Sequence, residues 1–279
     1  MSGTQPIIGF VGSGRIGAPM IERLLLSGHE VRLFARRPET RERLAASGAL
    51  LVDDVRDAAC DADISFVCVY SDDQLRDVAG GPHGLISAMR SGSVLASHVT
   101  GSPSTILELA QIARTRGAEI VDAPFSGSDH DIRAGRLTVM LGGSDDATAR
   151  VGDVVAAYAG TILRIGPLAT ALQVKLLNNL VFAANIQTTL EAISVGRELG
   201  LAIDAMTRAF AASSAGSYVV DGLVKASSPE SFADNVAPFL RKDLAALASS
   251  ASELEVDVAQ LMRTATTGPL DLSTTGAVA

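Results

Sequence analysis

Between Arg164 and Glu191 the only charged residue is Lys175, set in the apolar run Leu172-Gln-Val-Lys-Leu-Leu-Asn-Asn-Leu-Val-Phe182. A charge on an otherwise apolar helix is costly unless it is paired or chemically employed. Lys175, Asn178 and Asn179 stand at i, i+3 and i+4, so one helical face carries an ammonium and two amides. Such a face suits a proton donor or acceptor beside a hydrogen-bonding amide. It equally suits a lysine that snorkels past a polar stripe.

A second group lies near the start. Gly12-Ser13-Gly14-Arg15-Ile16-Gly17 follows the apolar run Pro6–Val11 and precedes the helical pattern Ala18–Leu26. This G-x-G-x-x-G spacing permits a tight turn, a close backbone approach to a pyrophosphate and close helix–strand packing, with free N–H donors at the helix start. The second strand, Glu30–Ala35, ends in Arg36-Arg37-Pro38 with no acid. NAD binders usually place Asp or Glu there for the ribose hydroxyls, whereas a guanidinium fork suits a 2′-phosphate. The expected cofactor is therefore NADP(H) rather than NAD(H), with Arg36, and Arg37 beside it, at that phosphate.

The elements that must position these groups fall into two kinds. Strand-like runs at 6–11, 30–35, 63–69, 93–96, 120–121 and 137–141 alternate with helical patterns at 18–26, 39–47, 72–78 and 104–114. Repeated strand–helix units predict a mostly parallel, doubly wound α/β sheet of Rossmann type, covered on both faces. From Leu168 onward strand runs give way to helical ones: one long helix at 170–199, then 203–212, 217–226, 238–249 and 256–266. The division expected is a dinucleotide-binding domain over 1–165 and an all-α domain over 166–279, joined by the long helix. The last dozen residues, rich in Gly, Thr and Ser, read as a loose tail.

Bulk properties narrow the partners. With 23 Lys and Arg against 31 acids, a net charge of -8, no broad basic surface for nucleic acid is available. No window reaches 18 uninterrupted apolar residues, and the opening Met-Ser-Gly-Thr-Gln-Pro lacks a signal-peptide layout, so a soluble cytoplasmic protein without a membrane partner is expected. Cys60 and Cys68 form no CxxC pair, no histidine has metal-ligand spacing, and no metal is expected.

Four segments, in order, resemble the β-hydroxyacid dehydrogenase family. Gly9-Phe10-Val11-Gly12 through Met20 is similar to its opening G-F-I-G-L-G-x-M-G-x-x-M, departing at Ser13 and Ile16. Asp122-Ala-Pro-Phe-Ser126-Gly127-Ser128, followed by Ala134-Gly-Arg-Leu-Thr-Val-Met140, resembles the substrate loop D-A-P-V-S-G-G and its strand entry, with Ser128 where glycine is usual. Lys175 through Asn179 matches K-x-x-N-N, although Ala169 and Ala171 replace two glycines that usually lead into it. Phe239 through Leu244 resembles the K-D-L segment. Thr100 matches one residue of an S-T-x-x-P element near the nicotinamide; Val99 replaces its serine.

The resemblance implies roles. Lys175 is the catalytic acid/base and Asn179 a substrate ligand. Ser126, with the backbone at Gly127 and Ser128, holds a substrate carboxylate. Thr100 and Lys242 lie toward the cofactor, and Asp243 supports helix packing. Ser128 adds a side chain beside the substrate, and His130 is a further candidate contact. The reaction implied is hydride transfer between NADP(H) and a β-hydroxyacid or its semialdehyde. A free lysine has a pKa of roughly 10.4, and apolar surroundings are expected to lower it. Two rivals stand beside this reading: an imine reductase, a class that usually replaces the lysine, and a non-catalytic NADP(H) sensor or scaffold. The apolar length of the long helix implies a homodimer or homotetramer through the second domain.

Overall fold

Ile8–Val11, four consecutive buried residues, form strand β1 in the computed structural model, which describes residues 5–226 and 228–273. The chain divides into two compact units, Met1–Lys175 and Leu176–Ala279. After β1 the first unit runs through α1 (Gly17–Leu26), β2 (Val31–Phe34), α2 (Pro38–Ala46), β3 (Leu50–Val52), β4 (Ile64–Val67), α3 (Asp72–Ala79), β5 (Val94–Ser97), α4 (Pro103–Thr115) and β6 (Glu119–Asp122). It continues with β7 (Phe125–Ser126), α5 (Asp129–Arg133), β8 (Leu137–Gly142), α6 (Asp145–Val155), β9 (Ala159–Gly166) and the start of α7 (Thr170–Glu198).

The nine strands form one sheet in the order β3-β2-β1-β4-β5-β6-β8-β7, with β9 on β8. Strands β1 to β6 are parallel, with Ile8 opposite both Val31 and Ile64. β8 runs antiparallel to β6 and β7, and parallel to β9. Alternate residues feed two apolar layers: Ile8, Phe10, Ile64 and Phe66 pack with Met20 and Leu24 of α1, while Val11, Val67 and Leu95 pack with Leu75 of α3 and Ile106 of α4. Both faces are covered, which is why the strands read as mostly apolar runs. Strand order reverses at β1, and the turn after β1 opens at that switch point, where such sheets bind ligands.

The second unit is helical, as its sequence pattern predicts: the rest of α7, then α8 (Ile203–Ala211), α9 (Tyr218–Lys225), α10 (Pro229–Glu253) and α11 (Ala259–Thr266). Leu176, Leu180, Ala183, Ile186, Leu190 and Ile193 make a stripe along α7 that packs with Leu240, Leu244 and Leu247 of α10. Two expectations are corrected. The helix expected over 238–249 begins at Pro229, capped by Ser228, and passes through Pro238. The tail is anchored as far as it is described: Leu270 and Leu272 are buried, and the Gln187 amide donates to the carbonyls of Ala265 and Leu270 while accepting from Leu270 N–H. Residues 274–279, and the opening Met-Ser-Gly-Thr, lie outside the described residues. Among the described residues no helix is long and apolar enough to cross a membrane.

Candidate active site

The turn after β1 is built for a phosphate. Gly12 has φ +99, where a Cβ would also strike the Cys68 carbonyl, and a Cβ at Gly17 would strike the Gly12 carbonyl. Nothing lies within 4 Å of the Cβ position at Gly14, so the backbone there is open to a ligand. Helix α1 begins with no side-chain cap from Ile16 and no acid in its first turn, leaving its N–H groups and positive dipole end for an anion. The residues Gly12, Ser13, Gly14, Arg15, Ile16 and Gly17 thus fit a dinucleotide pyrophosphate; Arg15 itself is exposed, 4.0 Å from Asp129.

Arg36 and Arg37 follow the end of β2, both exposed, and neither makes an ion pair among the described residues. The neighbouring Arg41 is committed instead: it donates to the carbonyls of Ala35 and Val52 and to Asp53, tying the ends of β2 and β3.

The segment leaving β5 carries His98, Val99 and Thr100. His98 is 2% exposed and stacks on Phe66 with ring centroids 5.4 Å apart. Its Nδ1 lies 2.6 Å from the Ala123 carbonyl and its Nε2 2.8 Å from the Tyr158 hydroxyl. Nδ1–H therefore donates to the carbonyl and Nε2 accepts from the phenol, and burial pushes the imidazole pKa down to about 4. His98 is a neutral core histidine that ties β5 to the chain after β6. Farther along, Ser102 N–H donates to Asp72 at the start of α3, fixing the turn that holds Thr100.

The loop after β6 carries the residues assigned to the substrate. Ser126 sits on β7 opposite Thr138, and Gly127 has φ +129. The Ser128 hydroxyl is engaged: its oxygen caps α5 by accepting from the Asp131 N–H, and it donates to Asp131 Oδ2 at 2.7 Å, with the Ser128 N–H on the same carboxylate oxygen at 2.9 Å. Burial opposes ionisation of Asp131, but these donors and the nearby Arg136 and His130 outweigh it and hold its carboxyl below the ordinary value. His130 is exposed on α5.

Asp122, the last residue of β6, is fully buried, and sequence reasoning gave it no role. It accepts from Ala169 N–H on Oδ1 and Leu172 N–H on Oδ2, each at 2.8 Å. A strand carboxylate thereby caps the start of α7, the helix that carries Lys175. Ala169, in place of the glycine of the resembling pattern, takes φ +78, a left-handed conformation that favours glycine. Lys175 is 9% exposed, so the ammonium foreseen on an apolar helix is buried.

In the second unit, Asn179 is 8% exposed. Its Nδ2 donates to Asp243 Oδ2 at 2.5 Å and its Oδ1 accepts from Asn178 at 3.0 Å. Lys242 lies 2.8 Å from Asp243 Oδ1, an ion pair between neighbours on α10. Asp243 thus does more than pack helices: it orients the Asn179 amide. Among the described residues no cluster of His, Cys, Asp and Glu could hold a metal ion.

Known proteins resemble both parts of the chain. Residues 7–166 match the model described as the NAD binding domain of 6-phosphogluconate dehydrogenase, and residues 169–268 that described as NAD-binding of NADP-dependent 3-hydroxyisobutyrate dehydrogenase. The 2-(hydroxymethyl)glutarate dehydrogenase of Eubacterium barkeri is 31% identical over 214 residues, 77% of this chain and 71% of that protein. The fold is that of a Mycobacterium tuberculosis 3-hydroxyisobutyrate dehydrogenase solved with L-serine, at TM-score 0.82 and 23% identity over 96% of this chain and 97% of that one. An imine reductase from Myxococcus stipitatus with NADP+ shares it at TM-score 0.67 and 24% identity, over 79% and 75% of the two chains.

Proposed function

The chain belongs to the β-hydroxyacid dehydrogenase family, and we propose that it interconverts a β-hydroxyacid and its semialdehyde with NADP(H). The observation that carries this reading is Lys175, a buried ammonium on α7, in a chain whose β1–α1 turn fits a dinucleotide phosphate. When bound, the nicotinamide supplies or takes up the hydride. In reduction, Lys175 Nζ gives a proton to the carbonyl oxygen as that oxygen gains charge. In oxidation the neutral amine removes the hydroxyl proton.

Ser126 and the N–H of Gly127 bind the substrate carboxylate; the Ser128 N–H, expected from the resemblance to join them, is taken by Asp131 Oδ2 at 2.9 Å. Asn179, held by Asp243, orients the reacting hydroxyl or carbonyl. Arg36, with Arg37 beside it, takes the 2′-phosphate, while Thr100 and Lys242 complete the cofactor contacts. The substrate is small and bears a carboxylate. For this reaction we assign residues 1–165 to a dinucleotide-binding domain and residues 166–279 to a helical substrate and dimerisation domain. The exposed Val174, Leu177 and Val181 on α7 favour a homodimer or homotetramer, which sedimentation at micromolar concentration would check.

The test follows NADPH and NADH oxidation with succinic, methylmalonic and tartronic semialdehydes, glyoxylate and a cyclic imine. Turnover of a semialdehyde with NADPH is the expected result. Turnover of the imine alone would move the assignment to imine reduction. Tight NADPH binding without turnover of any carbonyl would mark a sensor.

A further inference from the structure

Lys175 lies three residues beyond Leu172, about 4.5 Å further along the helix axis. The place of that ammonium therefore depends on what fixes the first turn of α7, and the fixing group is the Asp122 carboxylate. We infer that Asp122 is a positioning residue for proton transfer: it clamps the Ala169 and Leu172 N–H groups to the end of β6 and so sets Lys175 against the Ser126 loop. The inference rests on reading Lys175 as the acid/base.

Three observations support the clamp. Each carboxylate oxygen takes a different N–H, so the helix start cannot rotate or slide without breaking one bond. Asp122 is fully buried and makes no ion pair among the described residues; its charge is met by backbone N–H groups at a helix start. A serine or asparagine within the helix's own sequence would cap it without burying a charge. Gly142, opposite Asp122 across β6 and β8, leaves the carboxylate its room, because a Cβ there would collide with it.

The second consequence is at Ala169. A non-glycine residue at φ +78 persists where its surroundings over-determine it, and the Ala169 N–H is one of the two groups Asp122 holds. Because β6 leads directly through Ala123 and Pro124 to Ser126, one carboxylate ties the carboxylate-binding loop and the proton donor to a single point. Misplacing a reacting group by about 1 Å can cost on the order of 100-fold in rate.

The test uses the full chain with Asp122→Asn, which removes the charge, and with Gly142→Ala, which displaces the carboxylate and keeps its charge. NADPH fluorescence reports cofactor binding, and steady-state kinetics separate kcat from KM. Trinitrobenzenesulfonate labelling, read by mass spectrometry, compares Lys175 with Lys225 and Lys242, the chain's only other lysines. The expected result is a kcat about 10- to 100-fold lower with NADPH affinity and substrate KM within about threefold of the original. Lys175 labelling should rise several-fold while Lys225 and Lys242 label as before.

Folded variants that keep both kcat and the Lys175 labelling rate within about twofold would overturn the inference. If the unaltered protein turns over no carbonyl, the functional reading fails by itself. Labelling of Lys175 then decides: an unchanged rate overturns the clamp and a raised one supports it. Should Asp122→Asn fail to bind NADPH, Gly142→Ala decides on the same readouts.

Discussion

Asn179 donates from Nδ2 to Asp243 Oδ2 at 2.5 Å, so an amide on α7 is held in one orientation by a carboxylate on α10. With Asn178 on its Oδ1, Asn179 keeps one N–H and one lone pair to offer a substrate. The K-D-L resemblance suggests only helix packing for Asp243, whereas its contact gives it the orientation of a substrate ligand. Hydrogen bonds to charged groups are worth about 1.5–3 kcal/mol, so Asp243→Ala should lower kcat/KM by roughly 10- to 100-fold. A variant that folds and keeps its kcat/KM would show that Asn179 needs no such support.

Arg36 is exposed at the end of β2 and makes no ion pair among the described residues, as a group reserved for a phosphate would be. Replacing it with alanine should raise the KM for NADPH by about 10-fold or more and leave that for NADH within about twofold. Equal effects on both cofactors would remove the 2′-phosphate assignment.

Ala169 stores backbone strain at φ +78. The left-handed conformation costs about 1–2 kcal/mol for a residue with a Cβ, and glycine loses part of that gain to the entropy of the unfolded chain. Ala169→Gly should therefore stabilise the protein by roughly 0.5–1 kcal/mol in urea unfolding. A loss of stability would show that the strain is absorbed elsewhere.

Asp122 and His98 act on acid stability in opposite directions. Burial pushes the Asp122 carboxyl from 3.8 up to about 6, so the fold holds a proton that the unfolded chain releases in that window. Its contribution is present at low pH and is lost as pH rises toward 6. Burial pushes His98 from 6.5 down to about 4, so its contribution is present above 6.5 and is lost as pH falls toward 4. Between pH 4 and 6 the two slopes offset each other. Asp122→Asn removes one of them, so its stability should climb by roughly 1.4 kcal/mol per pH unit across that window relative to the unaltered protein. Parallel stability curves for the two proteins would contradict the assignment.

The parts legible in the sequence are those written in local patterns. The buried strands β1, β4 and β5 are short, mostly apolar runs without a charge, the turn after β1 is a glycine spacing, and α7 is mostly apolar up to Glu191, with the one charge at Lys175. Strand β9 was not legible because it pairs only with β8 and most of its residues are partly or fully exposed, so Ala159–Gly166 carries no clean alternation. Helix α10 has two prolines, each able to open a helix; the structure starts at Pro229 and continues through Pro238, which local rules read as the start. The contacts of Asp122 with Ala169 and Leu172 span about fifty residues of sequence, beyond the reach of any local pattern. The same holds for Asn179 with Asp243 and for His98 with Tyr158. Asp122, a buried acid closing β6 directly after the apolar pair Ile120–Val121, is the one sign of the clamp in the sequence.

The most direct test of the account is kcat for a semialdehyde with NADPH in Lys175→Ala and Lys175→Met, beside NADPH binding. General acid–base catalysis contributes about 100- to 10,000-fold, so kcat should fall by that factor while NADPH still binds. Near-normal turnover in either variant would contradict the assignment of Lys175 as the proton donor.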